Sequence, residues 1–503
     1  MITLESFIVL RKLTVKNIRI SPKNVKASYT VEKLTGETDA YDLAYTYENA
    51  YFDKNSYDEV NLASVMLSQV AINYGLFCEF IEFDGLFDKT DQQFIRYMME
   101  NTSREILTNK LLIKNEFLKS PYDSLLPEKR GKYTQANIVF TNTQFTDLKT
   151  KGSHSKPDLN KYAILSSGGK DSLLTYGIIK EIGEPYPVFI NEAGRHWYTA
   201  YNSYHHFLKT EPNTEKPWCN SDRLFNWMLK HLPFIKENYA NIRADIYPVR
   251  LWTVAVFLFG VLPVVRKKGI GNVLIGDEYD TTVKGNLEGI THYNGLYDQS
   301  KYFDNALTRY YFKKEWGIYQ YSLLRSVSEM LIMKILIKRY PELQKHQVSC
   351  HATHKERDRM YPCGNCEKCR RIIGMVKALD EDPGACGYNK TKIEKGLVAL
   401  GSKSVKQIGS DAAHLYAMLL EKDLIPINEF TQKAAKKHPE IMKLRFQNER
   451  SNPDDLPKHI RIPLFSILKK YSDGAVQQIN NKWVEIKTDD DFLNKANYKY
   501  DER

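Results

Sequence analysis

The sequence predicts an α/β protein: a parallel-sheet core carrying a four-cysteine metal site, with an α+β region before it and a mainly helical region after it. Three observations carry that expectation. The hydrophobic period switches along the chain between about two and about 3.6 residues. The middle of the chain repeats a strand–helix–strand rhythm, the pattern of parallel strands joined by crossover helices. The chain has 503 residues, and at ~150 residues per domain that length suggests about three units. Their expected extents are 1–150, 155–380 and 385–503.

The first region opens on alternating, β-rich sequence, Ala27-Ser-Tyr-Thr-Val-Glu and Tyr41-Asp-Leu-Ala-Tyr-Thr-Tyr, around a Thr35-Gly36-Glu37 turn. Apolar residues then recur at three and four over 60–74 and 91–112, which predicts helices. A polar stretch with Gly and Pro, 149–161, reads as a linker. Beyond it, Tyr162-Ala-Ile-Leu predicts a strand, 173–182 a helix and Tyr186-Pro-Val-Phe-Ile another strand. The rhythm continues through 251–265 and Asn272-Val-Leu-Ile. From about 385 the pattern is mostly helical, broken by a Pro-rich loop over 451–463, and the polar tail from Asp489 is expected to fray.

Composition excludes several classes. Hydrophobic residues make up 42% and charged residues 26%, which argues against wholesale disorder. No segment reaches the ~18–20 apolar residues of a bilayer span. The most apolar stretch, 251–265, contains Thr253, Gly260 and Pro263 and is closed off by Arg250 and Arg266, so it reads as a buried helix. The opening Met1-Ile-Thr-Leu-Glu lacks the basic start and cleavage site of a secretory signal. A cytoplasmic protein without a membrane partner is expected. Net charge is −2 over 1–150, +10 over 151–380 and +3 over 381–503. A basic middle third fits a polyphosphate pocket or nucleic acid. The chain has no run of five to eight basic residues, which makes nucleic acid the lesser expectation.

The most informative motif is Ser167-Gly168-Gly169-Lys170-Asp171-Ser172, between a predicted strand and a predicted helix. It lacks the Walker A spacing. Two glycines let successive N–H groups face one concavity, and the following helix adds its positive end. Ser167 and Ser172 supply hydroxyls, Lys170 a point charge, and Asp171 a carboxylate for Mg²⁺ or for capping the helix. Gly276 and Asp277 follow the strand 272–275, at the end of a parallel sheet where ligands bind. Asp277 could orient an amine or hold Mg²⁺. Asn191-Glu192 ends a strand in the same way, and Arg250 could pair with a substrate carboxylate.

Cys350-x12-Cys363-x2-Cys366-x2-Cys369 offers four thiolates, the number that closes a tetrahedral Zn²⁺ site. An iron–sulfur cluster or a redox Cys-x-x-Cys would use the same residues. His351 and His354 are the nearest substitutes for a ligand. Cys78, Cys219 and Cys386 stand alone and read as buried apolar residues.

Ser-Gly-Gly-x-Asp-Ser after a strand resembles the pyrophosphate loop of the N-type ATP pyrophosphatases. That resemblance implies a HUP-like (adenine nucleotide alpha hydrolase-like) fold, with ATP cleaved between its α and β phosphates and Mg²⁺ as cofactor. Together, the loop and Ser349-Cys350-His351…Cys363-Gly364-Asn365-Cys366-Glu367-Lys368-Cys369-Arg370-Arg371 resemble the 7-cyano-7-deazaguanine synthase (QueC) family, with Arg371 at its post-cysteine arginine. Tyr247-Pro-Val-Arg250 is similar to its Pro-x-Arg segment. Ile275-Gly276-Asp277-Glu278-Tyr279-Asp280 is similar to its nucleotide- and substrate-contacting strand end, and Tyr297-Asp298 faintly echoes a Tyr-x-Asp segment. The resemblance covers about 160–380 and implies catalytic roles for Lys170, Asp171 and Asp277. It implies nucleotide or substrate contacts from Ser167 to Ser172, Gly276 and Arg250, and Zn²⁺ on the four cysteines.

The long flanks are similar in layout to QueC-like proteins of anti-phage defence operons, the Qat and type IV CBASS systems. The function this implies is ATP-dependent activation of a carboxylate on a 7-carboxy-7-deazaguanine-like molecule, followed by amine attack that joins a deazapurine to a partner protein. Three alternatives stand beside it. They are the ammonia-using nitrile synthase, a tRNA-modifying ATP pyrophosphatase and a non-catalytic nucleotide-binding subunit.

Overall fold

The computed structural model describes residues 2–141, 156–242, 247–350, 352–406, 409–495, 498 and 500. His351 and most of the expected linker over 149–161 lie outside them. Four parallel strands form the centre of the sheet. Asp158–Leu165 lies between Glu184–Val188 and Ile270–Leu274, and Tyr319–Tyr321 follows at the edge beyond Ile270–Leu274. Parallel bridges from Val188 to Glu215 and from Asn191 to Trp218 add one more segment beside Glu184–Val188. The chain therefore winds outward in one direction, returns to the middle and winds outward in the other. That is the doubly wound α/β plan, in which the crevice opens where the winding reverses, at the carboxyl ends of the strands. Here the reversal falls between Asp158–Leu165 and Ile270–Leu274.

The N-terminal strands are continuous with this core. Leu10–Ser21, Asn24–Lys33 and Thr38–Thr46 pair antiparallel in succession, and Gly36 turns between the last two at a φ of 88°. Cys78–Asp84 and Asn137–Thr141 add parallel strands on the far side. Trp218–Cys219 pairs with Thr38–Thr46 at one edge, and Trp218 bridges to Asn191 at the other. It stitches the two sheets together. One buried apolar cluster accordingly includes Val25, Tyr45, Leu67, Phe94, Ala163, Val256 and Ile318.

The expected buried helix is Val254–Lys267, and its residues from Ala255 to Val265 are buried apart from Phe257. It starts later than the apolar run because the Asp298 carboxylate accepts from the N–H groups of Thr253 and Val254, at 3.0 and 2.8 Å. Asp298 is thus a remote helix cap. Gly260 is needed there: a Cβ would sit 2.9 Å from the Tyr45 ring, and the Tyr47 hydroxyl donates to the Gly260 carbonyl at 2.8 Å.

The C-terminal region departs from its expected helical character. Beside helices such as Lys390–Leu400 and Gly409–Glu421 it contains a three-stranded sheet of Leu444–Phe446, Ala475–Ile479 and Lys482–Ile486. The last two strands form a hairpin through Asn480-Asn481, with φ of 49° and 62°, the positive values that such a two-residue turn demands. A helix, Lys458–Leu468, occupies part of the expected Pro-rich loop and contains Pro463. Burial of Ile460, Leu464, Phe465, Ile467 and Leu468 outweighs the ~3 kcal/mol cost of an interior proline. The tail also packs: Leu493, Tyr498 and Tyr500 are buried, with Tyr500 stacked on Phe312.

Candidate functional site

The glycine-turned loop lies at the reversal point of the sheet, between Asp158–Leu165 and the helix Lys170–Ile182. Gly168 has a φ of 77°, and a Cβ on it would lie 2.2 Å from the Thr199 carbonyl oxygen and 2.9 Å from the Ala200 Cα. Conformation and space both require glycine. Gly168→Ala is expected to lower the melting temperature through left-handed strain of ~1–2 kcal/mol plus this collision; an unchanged melting temperature would overturn the close packing. Ser172 closes the turn, its hydroxyl donating to the Gly169 carbonyl at 3.1 Å and accepting from the Ser167 N–H at 3.3 Å. Ser167 itself is exposed.

Lys170 is buried in a nest of carboxylates. Its ammonium lies 2.8 Å from Asp171, 3.3 Å from Glu278 and 3.1 Å from Glu329. Burial opposes the charge, but the three acids hold Lys170 above its ordinary range. Three acids share this ammonium, and one of them, Glu329, also meets Arg371 at 3.5 Å. Burial pushes the Glu278 carboxyl well up, Lys170 pulls against that, and Glu329 and Asp171 reinforce it. Glu278 arrives on the loop after Ile270–Leu274. Gly276 lets that loop touch the first, since a Cβ there would lie 2.7 Å from the Asp171 carbonyl carbon. Glu329 opens the helix Glu329–Arg339, which Ser328 caps by accepting from the Leu331 N–H at 3.0 Å.

The other sequence-predicted residues lie around this nest. Asp277 is buried, its N–H donating to the Ser322 hydroxyl at 3.1 Å, while its carboxylate faces Arg325 at 3.5 Å. Burial, countered by Arg325, pushes its carboxyl well above the usual range. Arg250 pairs with Asp222 at 3.0 Å and lies 3.3 Å over the Tyr247 ring and 4.4 Å over Phe225. Asp222 and Phe225 lie on the helix Ser221–Leu229, so the partners of Arg250 are not those of Lys170.

The four cysteines converge. Cys350, Cys363, Cys366 and Cys369 place their Sγ atoms within 4.8 Å of one another. The Cys363–Cys369, Cys350–Cys366 and Cys366–Cys369 separations are 3.7, 3.6 and 3.5 Å. A tetrahedral Zn²⁺ with bonds of ~2.3 Å needs sulfurs about 3.8 Å apart, whereas a disulfide needs ~2.05 Å. The residues present fit a metal ion. Gly364, at a φ of 81°, bends the backbone so that its N–H reaches Cys369 Sγ at 3.3 Å, while those of Asn365 and Cys366 reach Cys363 Sγ at 3.4 Å. Such N–H···S bonds stabilise thiolate charge. Among the described residues no other group of three or more His, Cys, Asp or Glu converges this closely. Cys78, Cys219 and Cys386 are buried, as expected.

Two links tie the cysteine cluster to the loop. The Val348 N–H, two residues before Cys350, donates to the Gly168 carbonyl at 3.0 Å. Arg371, two residues after Cys369, lies 3.5 Å from Glu329, which also holds Lys170. Sequence reasoning missed Glu329, since no local pattern distinguishes it from any helix-opening glutamate.

Fold and site define a class: an α/β protein whose parallel-rich sheet brings a lysine–carboxylate nest beside a four-thiolate, metal-capable cluster. No family model, curated protein or solved structure matches the chain. No helix among the described residues is long and apolar enough to cross a membrane.

Proposed function

We propose that this chain is an ATP-dependent, AMP- and pyrophosphate-forming ligase with a HUP-like core, acting on a carboxylate of a 7-deazaguanine-type substrate. The observation that supports it best is the tie between the Ser167–Ser172 loop and the four-cysteine cluster through Glu329, which joins the two motifs of the QueC-like resemblance. A substrate carboxylate oxygen attacks the α-phosphorus. The bond to the bridging oxygen breaks, and pyrophosphate leaves with the electron pair. Backbone N–H groups of 168–170 and the Lys170 ammonium meet that growing charge. An amine then attacks the acyl carbon, AMP leaves with the former carboxylate oxygen, and the amine gives up a proton.

The excess of acid around Lys170 suits ATP carried with Mg²⁺, which Asp171 would hold. The four thiolates would hold a Zn²⁺ that shapes the segment beneath the loop. The amine belongs to a partner protein in anti-phage defence, in the cytoplasm.

The test is purified protein with Mg-ATP, 7-carboxy-7-deazaguanine and ammonium, read by mass spectrometry. AMP with a retained acyl-adenylate supports conjugation to a protein amine. AMP with free nitrile makes the chain a long nitrile synthase. No AMP removes the reading.

A further inference from the structure

A groove between two helices has a chemistry of its own, and none of the residues that line it belongs to the loop, the carboxylate nest or the cysteine cluster. The helix Lys89–Ile106, from the N-terminal region, packs against Lys301–Lys313, from the core. Between them lies an open groove of about 250 Å³. Its floor is apolar: Phe94, Met98, Ala306 and Tyr310 supply it, all of them buried. The floor is also held in place. The Phe94 and Tyr310 rings lie 4.4 Å apart, and the Tyr310 hydroxyl donates to the Asp91 carboxylate at 2.7 Å. Asp91 in turn accepts from Asn61 and Lys314, at 2.7 and 3.1 Å. An occupant is thus spared the cost of ordering these side chains.

The rim carries charge of one sign. Tyr97 stands on the first helix, 52% exposed. Arg309 and Lys313 stand on the second, both exposed and both lining the groove. Four residues apart, they share one helix face. Among the described residues neither forms an ion pair, and no acid lines the groove. An exposed tyrosine beside a fixed apolar floor is the make-up of an interface centre rather than of an ordinary surface. The volume falls below the ~300–1,000 Å³ that encloses a small ligand, so the groove suits a few side chains of a segment laid across it. An amphipathic helix presents such anchors three and four residues apart. The two unpaired cations then favour an occupant with carboxylates beside those anchors.

We propose that this groove docks an acidic amphipathic helix of a partner protein, with leucine- or phenylalanine-type side chains on Phe94, Met98 and Tyr310 and carboxylates on Arg309 and Lys313. The docking surface stands apart from the ligase reading, since it uses no residue of that site.

Selection of displayed random peptides, each about four helical turns long, on the full chain reads the groove without presuming a sequence. The enriched peptides are expected to carry acids beside large apolar residues at three- and four-residue spacing. The most enriched one, labelled with fluorescein, is the probe for anisotropy titrations. A protein carrying both Arg309→Glu and Lys313→Glu is expected to bind it on the order of 10- to 100-fold more weakly, as reversed charges at an interface do. Both positions are exposed, so its melting temperature should match the wild type. Replacing the acids of the probe by lysine should restore binding to that double variant, which a merely structural effect would not do. Tyr97→Ala should weaken the original probe as well. Failure to enrich any peptide that the double variant loses, or a charge-swapped probe that restores nothing, overturns the proposal. Wild-type chains that associate with one another, and separate in the double variant, overturn it too by giving the face to a second copy of this chain. A protein that binds the probe yet releases no AMP keeps the docking surface and loses the ligase.

Discussion

A Lys170→Met protein is expected to lose ~3–5 kcal/mol of stability at pH 8, the usual consequence of removing one partner from a buried ionic group. The structural reason is that Asp171, Glu278 and Glu329 all address the same ammonium, so its removal leaves three neighbouring acids without it. The defect should shrink at acid pH. An acid whose folded pKa is raised, as burial raises Glu278, binds its proton more tightly folded than unfolded. Its stabilising effect is complete below the unfolded pKa of about 4.3 and is lost as pH rises through the folded value. Taking away Lys170 raises that value further. Urea unfolding at pH 5 and pH 8 reads the difference, and an equal loss at both would refute the charge argument. Restoring part of the pH 8 stability with Glu278→Gln in the same protein would support it. In the proposed reaction the same substitution should cut AMP release by ~10²–10³-fold, as loss of one preorganised donor does elsewhere. Unchanged AMP release would remove Lys170 from that role.

The second large effect is expected at the cysteines. Wild-type protein should carry about one zinc per chain, and Cys366→Ser should lose it. Structural zinc contributes directly to folding, with apparent values of ~10–16 kcal/mol in small zinc peptides. Here the thiolates organise the start of the helix Glu367–Ala378, whose N-cap is Cys366. Limited proteolysis of Cys366→Ser should therefore open new cuts between residues 350 and 406. Because Arg371 reaches Glu329 from that helix, ATP affinity should fall too. A metal-free Cys366→Ser protein as protease-resistant as the wild type would contradict the structural role.

Much of this site is legible without coordinates, for a physical reason. The Ser167–Ser172 turn and the Cys363, Cys366 and Cys369 knuckle are short-range devices, in which glycine conformations and ligand spacing are local properties of the chain. The buried helix Val254–Lys267 is equally plain from its apolar run. The Asn480-Asn481 hairpin is local as well, but the helical spacing of the surrounding region masks its turn signal. Leu493, Tyr498 and Tyr500 break the expectation of a fraying tail because polar neighbours hide three buried side chains.

The amino-acid order alone therefore settles which segments can turn, which can bind a metal and which stretches must be buried, since each depends on neighbours within a few residues. Only the folded chain decides that Lys170 meets Glu278 and Glu329, more than a hundred residues away. Folding also turns Asp277 to Arg325 and makes Asp298 a helix cap. Those outcomes follow from the winding of the sheet, which brings distant strand ends into one low-dielectric crevice where charges must pair or change protonation.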